Sequence, residues 1–132
     1  MKLCVKMQES NLQGGNLMKP IDVQKVEEAI NKFKDQPIYL HLETTNGAYA
    51  AHRNEGMMTV SAFIRNGKIQ FSHGKITGEH PYRVGLKLED GWVYAQGLTD
   101  WEISEQGQLL LAGHDGEGKI AISLQLSETP FM

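Results

Sequence analysis

The sequence predicts a mainly β domain, an antiparallel β-sandwich or partly closed barrel of about eight or nine short strands with one N-terminal α-helix. Apolar and polar residues alternate with a period of two over most of the chain after residue 38, and Asn-Gly or Asp-Gly pairs recur between the alternating runs. One earlier stretch has helical spacing instead. We prefer the sandwich. No strand–helix alternation, glycine-rich phosphate loop or nucleophile elbow points to another class.

Length and charge limit the possible functions. The 132 residues suit one compact domain with its own core. A net charge of −3 argues against nucleic acid and against an anionic membrane as partners. No apolar run approaches the roughly 20 residues of a membrane-spanning helix, and no secretory signal is evident, so we expect a cytoplasmic protein. The single cysteine, Cys4, excludes an internal disulfide bond.

Residues 1–17 differ from the rest and are predicted to be a leader produced by a misplaced translation start. Gln13, Gly14 and Gly15 back-translate to a bacterial ribosome-binding sequence a short distance before Met18. We therefore expect the natural chain to start at Met18 and a single domain to occupy residues 18–132. The alternative is an additional edge strand formed by the alternating apolar residues of the leader.

The helix is predicted to begin after Asp22, which can cap its first turn, and to end before Pro37. Ile21 is expected to pack on it as a hydrophobic staple. Its apolar stripe consists of Val23, Val26, Ile30 and Phe33. The opposite face is expected to be exposed to water and consists of Lys25, Glu27, Glu28, Asn31 and Lys32.

Three tight turns predict three hairpins. The first turns at residues 46–47 and places His41 opposite His52. The second turns at residues 66–67, between strands over 58–65 and 68–76. The third turns at residues 90–91 and places Leu88 opposite Val93. Further strands are predicted over 100–104, 108–112 and 119–126.

The first predicted hairpin holds a cluster of side chains that could bind a metal ion. One of its faces holds Tyr39, His41, Glu43 and His52. Directly opposed residues have Cβ atoms about 5 Å apart, so two imidazoles and a carboxylate could bind one zinc or non-haem iron ion with open positions. The alternative is a polar face that is solvated or contacts a partner. Three further histidines could add ligands only if the fold brings them close, namely His73, His80 and His114.

Two other kinds of site are weaker. The serines on predicted strands lack a nucleophile elbow, so nucleophilic catalysis has little support. Aromatic residues near strand ends could line a shallow groove for a sugar or a peptide, although such residues commonly belong to the core or its rim. They are Tyr39, Phe63, Tyr82, Trp92, Tyr94 and Trp101.

Four segments of the chain together resemble the YojF family of small bacterial proteins. They are residues 41–52, 59–69, 81–92 and 109–131, and the resemblance extends from about Met18 to the end of the sequence. It implies a β-rich fold and assigns no activity or catalytic residue. More loosely, it implies an association with a zinc-dependent deacetylase of low-molecular-weight thiol biosynthesis encoded nearby.

These observations favour a non-catalytic cytosolic binding or accessory module without a cofactor, whose partner is the deacetylase that the resemblance implies. The expected contact surface is the face with Tyr39, His41, Glu43 and His52. The alternative is a metal-dependent hydrolase in which His41, Glu43 and His52 hold zinc or another divalent metal. We expect no nucleic acid or membrane partner. We also expect a homodimer, from base rates for soluble bacterial proteins and from sheet edges that need covering.

Overall fold

A computed structural model of the chain describes residues 18–44 and 62–132. This part of the chain forms β1 (Lys19–Pro20), α1 (Val23–Asn31), β2 (Ile38–Thr44), β3 (Ala62–Ile69), β4 (His73–Thr77), β5 (Tyr82–Leu88), β6 (Gly91–Leu98), β7 (Asp100–Ile103), β8 (Leu109–His114) and β9 (Ile120–Ser127). The predicted leader over residues 1–17 and the first predicted turn at residues 46–47 lie outside the described residues.

The strands form two antiparallel sheets. The large sheet has the order β1-β7-β8-β9-β2-β3, and the small sheet has the order β4-β5-β6. One face of each sheet contributes to a shared hydrophobic core, in which Leu86 and Leu98 of the small sheet and Leu111 and Leu124 of the large sheet are completely buried. The predicted mainly β fold with one N-terminal helix is therefore confirmed. Within the described ranges, no helix is long and apolar enough to cross a membrane.

Helix α1 has the predicted cap and most of the predicted stripe. The Asp22 carboxylate accepts a hydrogen bond from the Lys25 backbone N–H at 3.2 Å, and Val26, Ile30 and Phe33 are buried. Val23 is 41% exposed, so its assignment to the buried stripe was wrong. The helix meets the small sheet at its last turn, where Ile30 lies over Gly74, and Val23 is about 10 Å farther along the helix axis.

Two helix residues expected to face water instead bind the edge of the small sheet. The Asn31 side-chain amide donates to the Gly74 carbonyl at 3.0 Å and accepts from the Gly74 N–H at 3.1 Å. A Glu27 carboxylate oxygen accepts from the Ile76 N–H at 3.2 Å. The prediction of a wet face was therefore wrong for these two residues, because the outer edge of β4 offers backbone groups that need partners.

The predicted second hairpin is also wrong. Residues 66–67 do not reverse the chain, because β3 continues through them and pairs with β2, while β4 belongs to the other sheet. Asn66 has a positive φ of +57°, as the first residue of a tight Asn-Gly hairpin turn would, but it lies in a bulge where the register slips between Leu40 and Leu42. An αL residue fits a bulge as well as a turn, so the local signal did not decide the chain direction.

The later strands agree more closely with the sequence. The third hairpin is present, although its register differs by two residues: Leu88 lies opposite Gly91, and Leu86 lies opposite Val93. Strands β7, β8 and β9 form at the predicted places and pair in sequence order. The alternating apolar residues of β9, namely Ile122, Leu124 and Leu126, are buried in the core.

Candidate functional site

The large sheet packs one face on the hydrophobic core, and we call the opposite face its second face. This second face is also buried, although many of its residues are polar. His41 and Glu43 on β2 are 0% and 3% exposed, and they pair with Gln125 and Ser123 of β9, which are each 3% exposed. The expectation of a solvated face was therefore wrong for His41 and Glu43. Among the described residues, buried side-chain oxygens without a hydrogen-bond partner occur on this face at Gln125 and Glu102.

His41 lies between a carboxylate and a guanidinium group. Its Nε2 is 2.9 Å from Glu43 Oε1, and its Nδ1 is 3.2 Å from Arg65 Nη1. Arginine can only donate hydrogen bonds and a carboxylate only accepts them, so Nδ1 is the acceptor and Nε2–H is the donor. The contacts thus select the neutral imidazole with its proton on Nε2, and both ring nitrogens are engaged.

The environment also lowers the pKa of His41. Burial is the main cause, since it disfavours the charged imidazolium, and the positive charge of Arg65 acts in the same direction. The hydrogen bond to Glu43 opposes both effects without outweighing them. His41 is therefore held neutral, and its role in the described part of the structure is to connect Glu43 with Arg65.

The same cluster secures the C-terminal residues. Arg65 Nη2 donates to the Met132 carbonyl at 2.5 Å, and the Arg65 guanidinium lies 4.8 Å from the centre of the Phe131 ring. The Asn66 side chain accepts from the Phe131 N–H at 2.6 Å and donates to the Phe131 carbonyl at 3.0 Å. The rings of His41 and Phe131 meet edge to face with centroids 6.2 Å apart. The bulge in β3 therefore holds the tail against the second face of the large sheet.

The predicted metal ligands can be assessed only in part. His41 and Glu43 are brought together, while His52 lies outside the described residues. A metal bound to His41 would have to displace Glu43 or Arg65 from the ring nitrogen that each contacts. The part of the chain that the structure describes contains no group of three or more potential metal ligands. The other candidate histidines have other neighbours, namely Lys87 across from His73, Tyr82 against His80, and Asp100 beside His114.

His114 belongs to a separate hydrogen-bonded cluster at the junction of β6 and β7. Its Nδ1 lies 3.0 Å from an Asp100 carboxylate oxygen, to which the Thr99 hydroxyl also donates at 2.6 Å. The backbone N–H of His114 in turn donates to the Thr99 hydroxyl at 3.1 Å. These bonds join the end of β8 to the β6–β7 junction. We therefore assign the cluster a structural role.

The six aromatic residues proposed for a groove do not converge. Phe63 contacts the His41 ring on the second face of the large sheet, whereas Tyr82 and Trp101 pack against the core. Trp92 and Tyr94 lie together on the outer face of the small sheet. A single groove lined by all six is therefore excluded, and one exposed aromatic pair remains.

We define the basic face as the outer side of the small sheet, made by alternate residues of its three strands. The cross-strand rows place His73, Lys87 and Trp92 side by side, then Lys75, Gly85 and Tyr94, then Thr77, Arg83 and Gln96. Lys75, Arg83 and Lys87 are all exposed, and none of the nine residues is acidic. Of these residues, the sequence indicated Trp92 and Tyr94 as groove aromatics and His73 as a possible metal ligand, but it did not indicate a basic site.

Three side chains of the basic face form a stack. The Trp92 and Tyr94 rings are nearly parallel, at 7°, with centroids 5.5 Å apart, and Arg83 lies over the Tyr94 ring at 5.0 Å. Gly85 makes room for them, because a Cβ at this position would lie 2.9 Å from the Tyr94 ring. Trp92 is 46% and Tyr94 52% exposed, so the stack is both ordered by its own contacts and accessible to solvent.

Comparison with known proteins identifies the family. A family model described as "Protein of unknown function (DUF1806)" matches residues 20–131. The chain is 54% identical over 114 residues to "Uncharacterized protein YojF" of Bacillus subtilis strain 168, covering 86% of this chain and 98% of that protein. It also resembles the crystal structure of the Bacillus subtilis YojF protein, with a TM-score of 0.72 and 47% identity over 87% of this chain and 97% of the other. The predicted resemblance is thus confirmed, and the chain belongs to the YojF-containing DUF1806 family of proteins of unknown function.

Proposed function

We propose that this chain is a non-catalytic binding module of the cytoplasm and that its contact surface is the basic face. The observation that supports this most directly is the stack of Arg83, Tyr94 and Trp92, which is about half exposed on a rigid sheet. Tryptophan, tyrosine and arginine are the residues most enriched among those that dominate binding energy at protein interfaces. Because these side chains are already ordered on paired strands, binding a partner should cost little additional conformational entropy.

The surface first expected to bind is less suited to that task. His41 and Glu43 are buried, so they cannot touch a partner directly in this conformation. Whether His52 belongs to a contact surface stays a prediction, because that residue is not described. The basic face therefore replaces the His41 face in our proposal.

The rival function is a metal-dependent hydrolase that uses His41, Glu43 and His52. A catalytic histidine needs one ring nitrogen that can reach a metal, a water molecule or a substrate. Here Nε2 bonds Glu43 and Nδ1 bonds Arg65, whose positive charge also opposes a nearby cation. These contacts favour the binding module over the hydrolase.

The test compares the wild type with the double variant Trp92→Ala/Tyr94→Ala and with Ile103→Ala, which shortens an exposed apolar side chain on β7. The first partner to try is the purified zinc-dependent deacetylase that the family resemblance implies, followed by capture and identification of proteins from bacterial cytosol. Trp92→Ala/Tyr94→Ala should lose most binding, and Ile103→Ala should keep it, while both retain the wild-type circular dichroism spectrum.

Two results would count against the module. Unchanged partner binding by Trp92→Ala/Tyr94→Ala would remove the basic face as its contact surface. Turnover of an amide or ester substrate by the isolated protein, dependent on added metal and on His41, would favour the hydrolase. We also propose a homodimer, which light scattering during size-exclusion chromatography can test by mass.

A further inference from the structure

We infer that the basic face binds a short acidic segment of another protein. This inference rests on the proposed function and adds the chemistry of the partner. The charge distribution is its starting point. Lys75, Arg83 and Lys87 place three positive charges on a face without an acidic residue, although the whole chain has a net charge of −3. The remainder of the chain therefore has a net charge of −6.

The positions of the three cations favour a chain that passes over the aromatic stack. Lys87 lies beside Trp92 in the first row, Lys75 lies in the same row as Tyr94, and Arg83 already covers the Tyr94 ring. A segment that crosses the three strands would place an apolar or aromatic side chain on Trp92 of β6 and its carboxylates on Lys87 of β5 and Lys75 of β4. Charge complementarity of this kind chiefly guides encounter and specificity, and aromatic packing supplies affinity.

A second copy of this chain does not fit the same surface. A two-fold contact brings the same patch of both copies together, so the three cations of one copy would face those of the other. Like charges placed opposite each other at an interface cost several kcal/mol. A two-fold dimer must therefore use a different surface and leaves the basic face to another partner.

Single-stranded nucleic acid fits less well than an acidic peptide. Surfaces that bind it stack successive bases on separate aromatic rings and follow the phosphates with a continuous basic groove. On the basic face, Tyr94 is covered by Arg83 and Trp92 from neighbouring rows. A polyanion longer than the face would also meet a remainder of charge −6.

The dimensions of the face limit the partner to a short segment. Three strands span about 14 Å and five residues of each span about 17 Å, which gives a footprint of roughly 240 Å². A stable interface between folded proteins buries about 800 Å² on each partner. The basic face therefore suits a peptide of a few residues, bound weakly and with strong dependence on salt.

The probe for this inference is an acetylated five-residue peptide of three glutamates and two phenylalanines, titrated into the full-length protein. Nuclear magnetic resonance follows the Trp92 indole N–H and the backbone amides of β4, β5 and β6. We expect these signals to shift saturably at about 50 mM salt and the dissociation constant to rise about fivefold or more at about 300 mM salt. A basic peptide of the same length, with lysines replacing the glutamates, should leave the signals unchanged.

Charge variants then identify the contact. Lys75→Glu/Lys87→Glu should weaken peptide binding about tenfold or more, and Lys75→Gln/Lys87→Gln should weaken it less. Lys25→Glu/Lys68→Glu is the control with the same change of net charge, because both lysines are exposed and lie outside the small sheet, and it should bind within about twofold of the wild type. All substituted lysines are exposed, so the fold should be retained.

Several outcomes would overturn the inference. They are an absence of peptide-induced shifts in β4–β6, unchanged binding by Lys75→Glu/Lys87→Glu, or tighter binding of a ten-nucleotide oligodeoxythymidine than of the peptide. The proposed function fails separately. If Trp92→Ala/Tyr94→Ala abolishes partner capture but charge reversal does not affect it, the basic face remains the contact surface and only the acidic partner is wrong.

Discussion

Asn66 offers a quantitative test of how the β3 bulge holds the C-terminal residues. Its side chain forms two hydrogen bonds with the backbone of Phe131, and its own backbone has a φ of +57°. Phe131 is 5% exposed, so its backbone N–H and C=O could not readily bind water if the Asn66 side-chain amide were removed. Substitution therefore removes two separable contributions, the side-chain bonds and the tolerance of asparagine for a left-handed conformation.

A pair of variants separates the two contributions. Each hydrogen bond contributes about 1 kcal/mol net, so Asn66→Gly, which keeps a backbone suited to positive φ, should lose about 2 kcal/mol of unfolding free energy. Asn66→Ala loses the same bonds and adds about 1 kcal/mol for a left-handed residue with a Cβ, so it should lose about 3 kcal/mol. At about 4 °C per kcal/mol for a chain of this size, the melting temperatures should fall by about 8 and 12 °C.

Urea unfolding followed by circular dichroism measures these differences, with Gln70→Ala as the control. Gln70 is an exposed residue just after β3, and its substitution should change the unfolding free energy by less than about 0.5 kcal/mol. The explanation fails if Asn66→Ala is as stable as the wild type. It also fails if Asn66→Gly is less stable than Asn66→Ala, because glycine should relieve the backbone strain.

Three further predictions concern packing, pH and metal. Gly74→Ala should lower the unfolding free energy, measured by thermal unfolding, by about 2 kcal/mol, because the added Cβ would overlap Ile30 Cγ2. The control Gly116→Ala has open space around the added Cβ and should change the unfolding free energy by less than about 0.5 kcal/mol. Because folding lowers the pKa of His41, its imidazole becomes protonated at a higher pH in the unfolded chain than in the folded one. The unfolding free energy should therefore fall as pH drops below about 6.5, until the folded-state pKa is reached. Urea titrations between about pH 8 and about pH 5 should show that this loss is smaller in His41→Gln. Added zinc should raise the melting temperature by no more than about 1 °C, because both His41 ring nitrogens are engaged, and a larger, chelator-reversible increase would support the metal site.

The sequence predicted the fold class because alternation and turn residues are local signals. The alternation of Ile122, Leu124 and Leu126 is the local signal for the last predicted strand, and these residues are buried in β9. The third hairpin formed near its predicted turn. Asn66 shows the limit of such signals. Its positive φ suits the predicted turn, but pairing with β2 and the bonds to Phe131 make it part of a bulge, and both depend on residues distant in sequence.

The candidate site was predicted less well for a related reason. A polar residue that alternates with core residues is usually exposed, and nothing near His41 or Glu43 in sequence indicates that their face is buried too. Arg65, which completes the cluster, comes from another strand through the same bulge. On the basic face, Trp92 and Tyr94 were predicted as aromatic candidates for a groove. The contact of Tyr94 with Arg83 depends on the cross-strand register of the third hairpin, and the predicted register differed by two residues.

The bonds from helix α1 to β4 have a consequence for solubility. An uncovered outer strand displays N–H and C=O groups that can recruit a strand from another molecule and begin fibrous aggregation. In this chain, Asn31 binds both backbone groups of Gly74, and Glu27 binds the N–H of Ile76, so two side chains imitate the neighbour that β4 lacks. The helix thereby protects the β4 edge of the small sheet against intermolecular pairing without adding another strand.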